Sequence, residues 1–320
     1  MRSATDRKSM RRSCNHHAAF ALCAAIILTA ATTIRPARSE GNCNDIARNY
    51  DLVKADAVSV QTNAALFAAA DSGCEDLARR LIAAGAAVEA RDSHGAMPLT
   101  HAAREGRVKI VELLLASGAP IDARNLDGGT ALLAAAEHEK PTTVTLLLAK
   151  GANPNLPGQS GVTPLIAAAF AGNDRIAELL MAHGADPNAR DATGKAAIVY
   201  AAARGFDDIV RRLLDAGIDA RARYGNDLTA LMWAAGHDEG VGAAAVGRVI
   251  GLLLARGASI DDADNRGRTA LMIASETGDA AVVDILLHDG ADRGLKDKSG
   301  KTALDLAAND AVREKLRSPD

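Results

Sequence analysis

The sequence predicts an all-α solenoid: about eight short helix–turn–helix units stacked in a row and joined by β-turn or hairpin fingers. Three observations carry that expectation. First, a short phrase recurs as Met97-Pro98-Leu99, Thr130-Ala131-Leu132, Thr163-Pro164-Leu165, Ala196-Ala197-Ile198, Thr229-Ala230-Leu231, Thr269-Ala270-Leu271 and Thr302-Ala303-Leu304. Second, apolar pairs run into a glycine at Gly85, Gly118, Gly151, Gly184, Gly217, Gly257 and Gly290; the step is 33 residues except from Gly217 to Gly257, where it is 40. Third, hydrophobic residues make up 48% of the chain but aromatics only 2%, so the core must be thin layers of Ala, Leu, Val and Ile. Such layers rarely enclose the deep apolar pocket a small-molecule enzyme needs.

The chain opens differently. Met1 to His17 carries Arg2, Arg7, Lys8, Arg11 and Arg12 against Asp6, and Ala18 to Ile34 carries no charge. Basic then apolar then polar is the order of a secretory leader. Ala37-Arg38-Ser39 supplies small residues where a signal peptidase reads, which places a leader at 1–39. The apolar run is 17 residues and rich in Ala, short for a spanning helix, which needs roughly 20; an uncleaved anchor is the alternative. The leader holds a net +6, so its removal takes the chain from −3 to −9. An acidic surface repels phosphate backbones, which argues against nucleic acid as a partner. The leader and the Ala/Arg-rich composition suit bacterial export, to the periplasm or outside the cell.

Cys14 and Cys23 leave with the leader, and Cys43 and Cys74 remain. An even pair in an exported chain predicts a disulfide, Cys43–Cys74, tying down the N-terminal segment at 40–62; two unrelated buried thiols are the alternative. Asn44 to Val58 is expected to form a helix over the first unit.

The repeat array is read over 63–316, with a tail at 317–320. In the unit from Asp92 to Arg124, Gly95 sits where a tight turn needs positive φ. The threonine slot (Thr130, Thr163 in later copies) is a helix N-cap, and Pro98 and Pro164 fill the first helical position. Leu99, Ala102 and Ala103 form the packing side of a short helix that Gly106 stops; Ile110, Val111, Leu113, Leu114 and Leu115 line a second, ended by Gly118.

These residues resemble the ankyrin repeat, a unit of 33 residues with a β-turn, two antiparallel helices and a T-P-L-H-x-A signature. The family's His after T-P-L is replaced here by Thr100, Leu133, Ile166, Val199, Met232, Met272 and Asp305, which removes a hydrogen bond between repeats. The end units are atypical, as ends facing water must be: the first lacks a full turn, and the last is expected to have a reduced second helix. Two inner units depart from the pattern. The third has Glu139 in place of the helix-stopping glycine, with Pro141 soon after; the sixth has Asp227 in the turn-glycine slot and seven additional residues between His237 and Gly247.

Motifs for chemistry fall away on inspection. Gly300-Lys301-Thr302 lacks the earlier glycine of a phosphate-binding loop, since Leu295 stands there. Gly240-x-Gly242-x-x-Ala245 has no preceding strand. The histidines are scattered and form no metal-ligand pattern. His101 and Trp233 share one repeat slot, which points into the layer between units and predicts packing. No nucleophile–base arrangement is visible, and His237, Asp238 and Glu239 are neighbours in sequence only. The expectation is therefore a non-catalytic protein without metal or cofactor.

The resemblance implies where a partner would bind. In ankyrin-type stacks, side chains beside the turn glycine and at the end of the first helix line a concave face that touches other proteins. Those slots hold Ser93, His94, Arg104, Glu105, Asp127, Glu137, His138, Phe170, Lys195, Arg204, Asn226, His237 and Glu276. Phe170, an aromatic in a usually polar slot, is the expected anchor, with Tyr224 second. The corresponding expectation is that Phe170→Ala weakens capture without lowering the melting temperature. Partner identity is open: a scaffold for another exported protein, or a secreted factor binding a host protein.

Overall fold

The computed structural model describes residues 43–54, 59–238 and 240–318. The leader and its cleavage site lie outside the described residues. The rest is a row of helical hairpins preceded by one helix, Cys43–Val53. In chain order the hairpins are Ser59–Ser72 with Glu75–Ala83, Pro98–Glu105 with Val108–Ala116, Ala131–Glu137 with Pro141–Ala149, and Pro164–Ala171 with Asp174–Ala182. Then follow Ala197–Ala203 with Asp207–Asp215, Ala230–Ala235 with Ala243–Ala255, Ala270–Thr277 with Ala280–His288, and Ala303–Leu306 with Asp310–Arg317. These are units one to eight.

The helices in closest contact belong to the same unit or to adjacent units. First helices pack on first helices and second on second, as a solenoid requires. The recurring phrase supplies the layers: Leu99, Leu132, Leu165, Ile198, Leu231 and Leu271 are each at most 1% exposed. Burying one such side chain contributes roughly 1.5–3 kcal/mol.

Local chemistry sets the helix ends. The hydroxyls of Thr130, Thr163, Thr229, Thr269 and Thr302 each accept from the backbone N–H three residues on. Met97 and Ala196 occupy the same slot and make no such cap. At the helix-stop slot of unit three, Glu139 adopts φ 55°, the left-handed conformation that Gly106 and Gly172 take at φ 73° and 76°. The backbone demand persists where the glycine does not.

Cys43 and Cys74 are joined, with Cα atoms 5.5 Å apart. The bridge fixes the helix Cys43–Val53, whose Ile46, Ala47 and Tyr50 pack on the core of unit one. Cys43 is the first residue of that helix rather than the one before it. Three boundaries differ from expectation. The expected helix to Val58 ends at Val53 in the described residues, with 55–58 outside them. Unit one's first helix begins at Ser59, so it crosses a boundary drawn at residue 63. In unit eight it is the first helix that is shortened, to 4 residues; the second keeps 8 and includes Arg317.

The fingers are cross-linked. In unit two Asp92 Oδ1 accepts from the backbone N–H of His94 and Ala96, and Asp191, Asp264 and Asp297 do the same in units five, seven and eight. Successive fingers share backbone bonds, such as Leu126 N–H to His94 O at 2.9 Å and Ala192 N–H to Ser160 O at 2.7 Å. In unit six, Arg223–Tyr224 also pairs antiparallel with Leu228–Thr229, and Asn226 O accepts from Asn265 N–H of the next finger at 3.3 Å. The additional residues of that unit lengthen its second helix to 13 residues, against 9 in units two to five.

Candidate protein-binding face

The expected contact residues lie on the fingers and first helices, and the structure sorts them into three groups. The first is open. His94, Asp127 and Asn226 stand exposed at finger tips, beside Leu126, a 78%-exposed leucine that the slot pattern did not single out. Glu137 and His138 are also accessible. Protein crowding around them raises the Glu137 carboxyl and lowers the His138 imidazole. His138 Nδ1 lies 3.0 Å from the Ala134 carbonyl.

The second group is tied into ionic latches, most of them between units. His101 stands one position after the lost signature His and restores a bond across units: Nδ1 is 3.0 Å from Asp71 of unit one, and Nε2 is 3.0 Å from Asp92. Its ring also meets Phe67 edge-on at 5.0 Å. Burial pulls this imidazole down, but the two carboxylates outweigh it and its pKa is raised. Burial pushes Asp92 up, and its bonds to His101, Ala96 and His94 lower it on balance. Arg104 donates to Asp71 at 3.0 Å and to Glu105 at 3.2 Å. His237 reaches forward to Asp279, the N-cap of unit seven's second helix, at 2.9 Å. Glu276 accepts from Arg268 at 2.8 Å. The bonds of His101, Arg104 and His237 hold neighbouring units together, Glu276 is tied within unit seven, and all four are less available to a partner.

The third group is aromatic. Phe170 is half-buried, not openly exposed: the Arg204 guanidinium lies 4.5 Å above its ring and Tyr200 meets it edge-on at 5.9 Å. Lys195 Nζ sits 4.7 Å from the Trp233 centroid and 5.6 Å from that of Tyr200. Arg204 also faces Phe206 at 5.7 Å and pairs with Asp238 at 3.6 Å. Tyr224 is no surface contact. It is 5% exposed, covered by Arg190 at 4.9 Å, and burial pushes its phenol up to about 12. The reason is its slot: it stands where Asp191 stands one repeat earlier, a position that faces into the unit. Trp233 packs as expected, 8% exposed.

Slot-by-slot reading missed Tyr200 and Asp191, whose side chains hydrogen-bond to each other. The signal was present: the two are nine residues apart, like His101 and Asp92. His237 pairs with Asp279 and Asp238 with Arg204, and Glu239 lies outside the described residues. Among the described residues no group of three or more His, Cys, Asp or Glu could hold a metal, and no helix is long and apolar enough to cross a membrane.

A family model described as ankyrin repeats (3 copies) matches residues 37–125 and 116–191, and one described as ankyrin repeats (many copies) matches 253–307. Together they span well over half of the 320 residues. The chain belongs to the ankyrin-repeat family. An ankyrin repeat-containing protein of Treponema pallidum (strain Nichols) is 46% identical over 56 residues, which is 17% of this chain and 19% of that protein. The chain thus matches about a fifth of that relative's length. The crystal structure of the human ASB11 ankyrin repeat domain superposes with a TM-score of 0.62 at 25% identity, over 70% of this chain and all of that one. Ankyrin repeats are generally protein–protein interaction modules, and the fold is typically a non-enzymatic scaffold. Between the matched stretches, at 192–252, lie Lys195, Tyr200, Arg204, Tyr224 and Trp233.

Proposed function

We propose that this ankyrin array captures another protein on the face built from its fingers and first helices, without catalysis of its own, after export to the periplasm or beyond the cell. One observation supports the face above others. The chain has one Trp, three Tyr and four Phe, and five of those eight (Phe170, Tyr200, Phe206, Tyr224 and Trp233) fall in units four to six. Three of the five lie on consecutive first helices: Phe170, Tyr200 and Trp233. Aromatic residues with an accessible edge and a cation alongside are the usual anchors of protein contacts. Phe170 supplies that edge. Export is supported by the basic and apolar leader ending at Ala37-Arg38-Ser39.

The test is cross-linking and affinity capture from the native compartment, with Phe170→Ala as control. Capture is expected to fall clearly. The ring also packs on Tyr200 and Arg204, so the melting temperature drops too, by the equivalent of roughly 0.5–1.5 kcal/mol. Capture is therefore measured well below the melting range. Unchanged capture would remove this face from consideration. Fractionation addresses the compartment: a periplasmic pool suits a scaffold for another exported protein, a pool in the medium suits a factor aimed at a host protein, and a cytoplasmic pool overturns export.

A further inference from the structure

We propose that the captured protein presents an acidic segment, whose carboxylates dock on Arg190, Lys195 and Arg204. This rests on reading the face as a capture surface and narrows the partner to one chemistry.

All three cations lie over rings, and Arg190 and Lys195 lie against no carboxylate of the described residues. Arg190 covers Tyr224 at 4.9 Å, Lys195 covers Trp233 at 4.7 Å and Arg204 covers Phe170 at 4.5 Å. Among the described residues Arg190 and Lys195 form no ion pair, and Arg204 has only Asp238 at 3.6 Å. Asp191 is not available to neutralise Lys195. It is 7% exposed and already accepts from the Thr193 and Lys195 backbone N–H groups, the Thr193 hydroxyl and the Tyr200 phenol. The Arg204 Nε is buried and has no hydrogen-bond partner among the described residues.

Arg190 departs from its equivalents elsewhere in the array. In the same slot Arg91 donates to the carbonyls of Gly95 and Arg124, Arg124 to those of Gly128 and Pro157, and Arg223 to those of Asp227 and Ala263. Those three arginines stitch fingers together. Arg190 rests on a ring and is exposed.

A ring face attracts a cation but does not neutralise it. It also fixes the side chain, so a carboxylate arriving on the open side meets donors that are already ordered. Tyr224 and Trp233 are buried beneath their cations, so the one ring open to an apolar residue of the acidic segment is the half-buried Phe170. The contrast with the surroundings gives direction, because the chain beyond residue 39 carries a net −9. A basic spot on an acidic surface orients an acidic partner to that spot, at a range set by the screening length.

The chain carries its own reporter, since Trp233 is its single tryptophan and Lys195 lies over it. The full chain would be titrated at low salt with hexaglutamate, hexaglutamine and hexalysine while Trp233 emission is followed. The expected result is a saturable change with hexaglutamate alone, with the midpoint weakened roughly fivefold or more by Lys195→Gln or Arg190→Gln. Arg190 is exposed, so its variant tests the idea even if the Lys195 substitution disturbs the fold. No saturable response, an equal response to hexalysine, or a response unaltered by both substitutions would overturn the proposal. If hexaglutamate fails while native capture still depends on Phe170, the acidic chemistry falls and the capture face stands. If capture is also indifferent to Phe170, both fall.

Discussion

Units five and six are neighbours with the same hairpin plan, yet their fingers are closed by opposite means. In unit five the buried Asp191 gathers two backbone N–H groups and two hydroxyls, one of them from Tyr200 on the first helix of the same unit. Unit two does the same with Asp92 and His101. In unit six both members change together: Tyr224 takes the carboxylate slot and Trp233 the helix slot, and both are buried. Without a carboxylate the turn reorganises. Asn226 and Asp227 both adopt positive φ, 63° and 62°, and a two-residue strand pair closes the base. Unit four, with Gly158 in the carboxylate slot, shows the same double left-handed step at Ser160 and Gly161, φ 57° and 77°. In units two and five the finger carboxylate bonds to a polar side chain on the first helix, and in unit six both slots are aromatic, whereas in units seven and eight Asp264 and Asp297 close the finger with Ile273 and Leu306 in the helix slot. The stacked layers beneath are indifferent to the choice.

That indifference gives the largest expected effect. Ile198 and Leu231 occupy the same layer slot in units five and six, at 0% and 1% exposure. Ile198→Ala and Leu231→Ala should each destabilise the array by about 2–5 kcal/mol in urea melts. A much smaller loss for Leu231→Ala would show unit six to be loosely docked, and the comparison would then be one of stability rather than turn chemistry.

What the sequence made legible follows the same division. The period, the threonine caps and the glycine stops depend on one slot at a time, so the hairpins and their order could be read directly, whereas Glu139, a departure in the slot pattern, keeps the glycine's left-handed conformation. The Cys43–Cys74 pair was legible once the leader, with Cys14 and Cys23, was set aside and two cysteines were left. The burial of Tyr224 and the cover over Phe170 were not. Each depends on a second slot: Tyr224 on the inward carboxylate position it fills, Phe170 on Arg204 and Tyr200 of the next unit. Turn-to-helix pairing appears only when slots nine residues apart are read together. The lost signature histidine misled for a similar reason, because His101 supplies the bond across units from the adjacent position.

A smaller effect separates unit two from unit five by pH. His101 is held between Asp71 and Asp92, with Arg104 and Glu105 alongside, and its pKa is raised from 6.5. A raised folded value means the stabilisation is complete below about pH 6.5 and is lost as pH rises through the folded value. A hydrogen bond to a charged group contributes roughly 1.5–3 kcal/mol, and less here because both carboxylates are partly wet. Denaturation midpoints should therefore fall from pH 6 to 8, and His101→Gln should flatten that slope. Unit five has Tyr200 in the same slot and so has no imidazole there to contribute to that slope. A slope that survives in His101→Gln would assign the pH dependence elsewhere.

The smallest expected effect is a gain. Asp227 fills a slot held by Gly95, Gly128, Gly194, Gly267 and Gly300, all at φ between 71° and 82°. A left-handed conformation costs an ordinary residue roughly 1–2 kcal/mol, and somewhat less for Asp or Asn. Asp227→Gly removes that strain but adds unfolded-state freedom, which offsets about 0.5–1 kcal/mol of it. The Asp227 side chain is exposed, and the bond from Arg223 goes to its carbonyl oxygen, which glycine keeps. The net expectation is stabilisation of about 0.5 kcal/mol, read as a raised urea midpoint. Asn226→Gly should gain less, because Asn tolerates this conformation better than most residues. A loss on Asp227→Gly would mean the aspartate side chain itself braces the finger, and unit six would then have kept a polar turn residue after all, displaced three positions from the slot that Tyr224 took over.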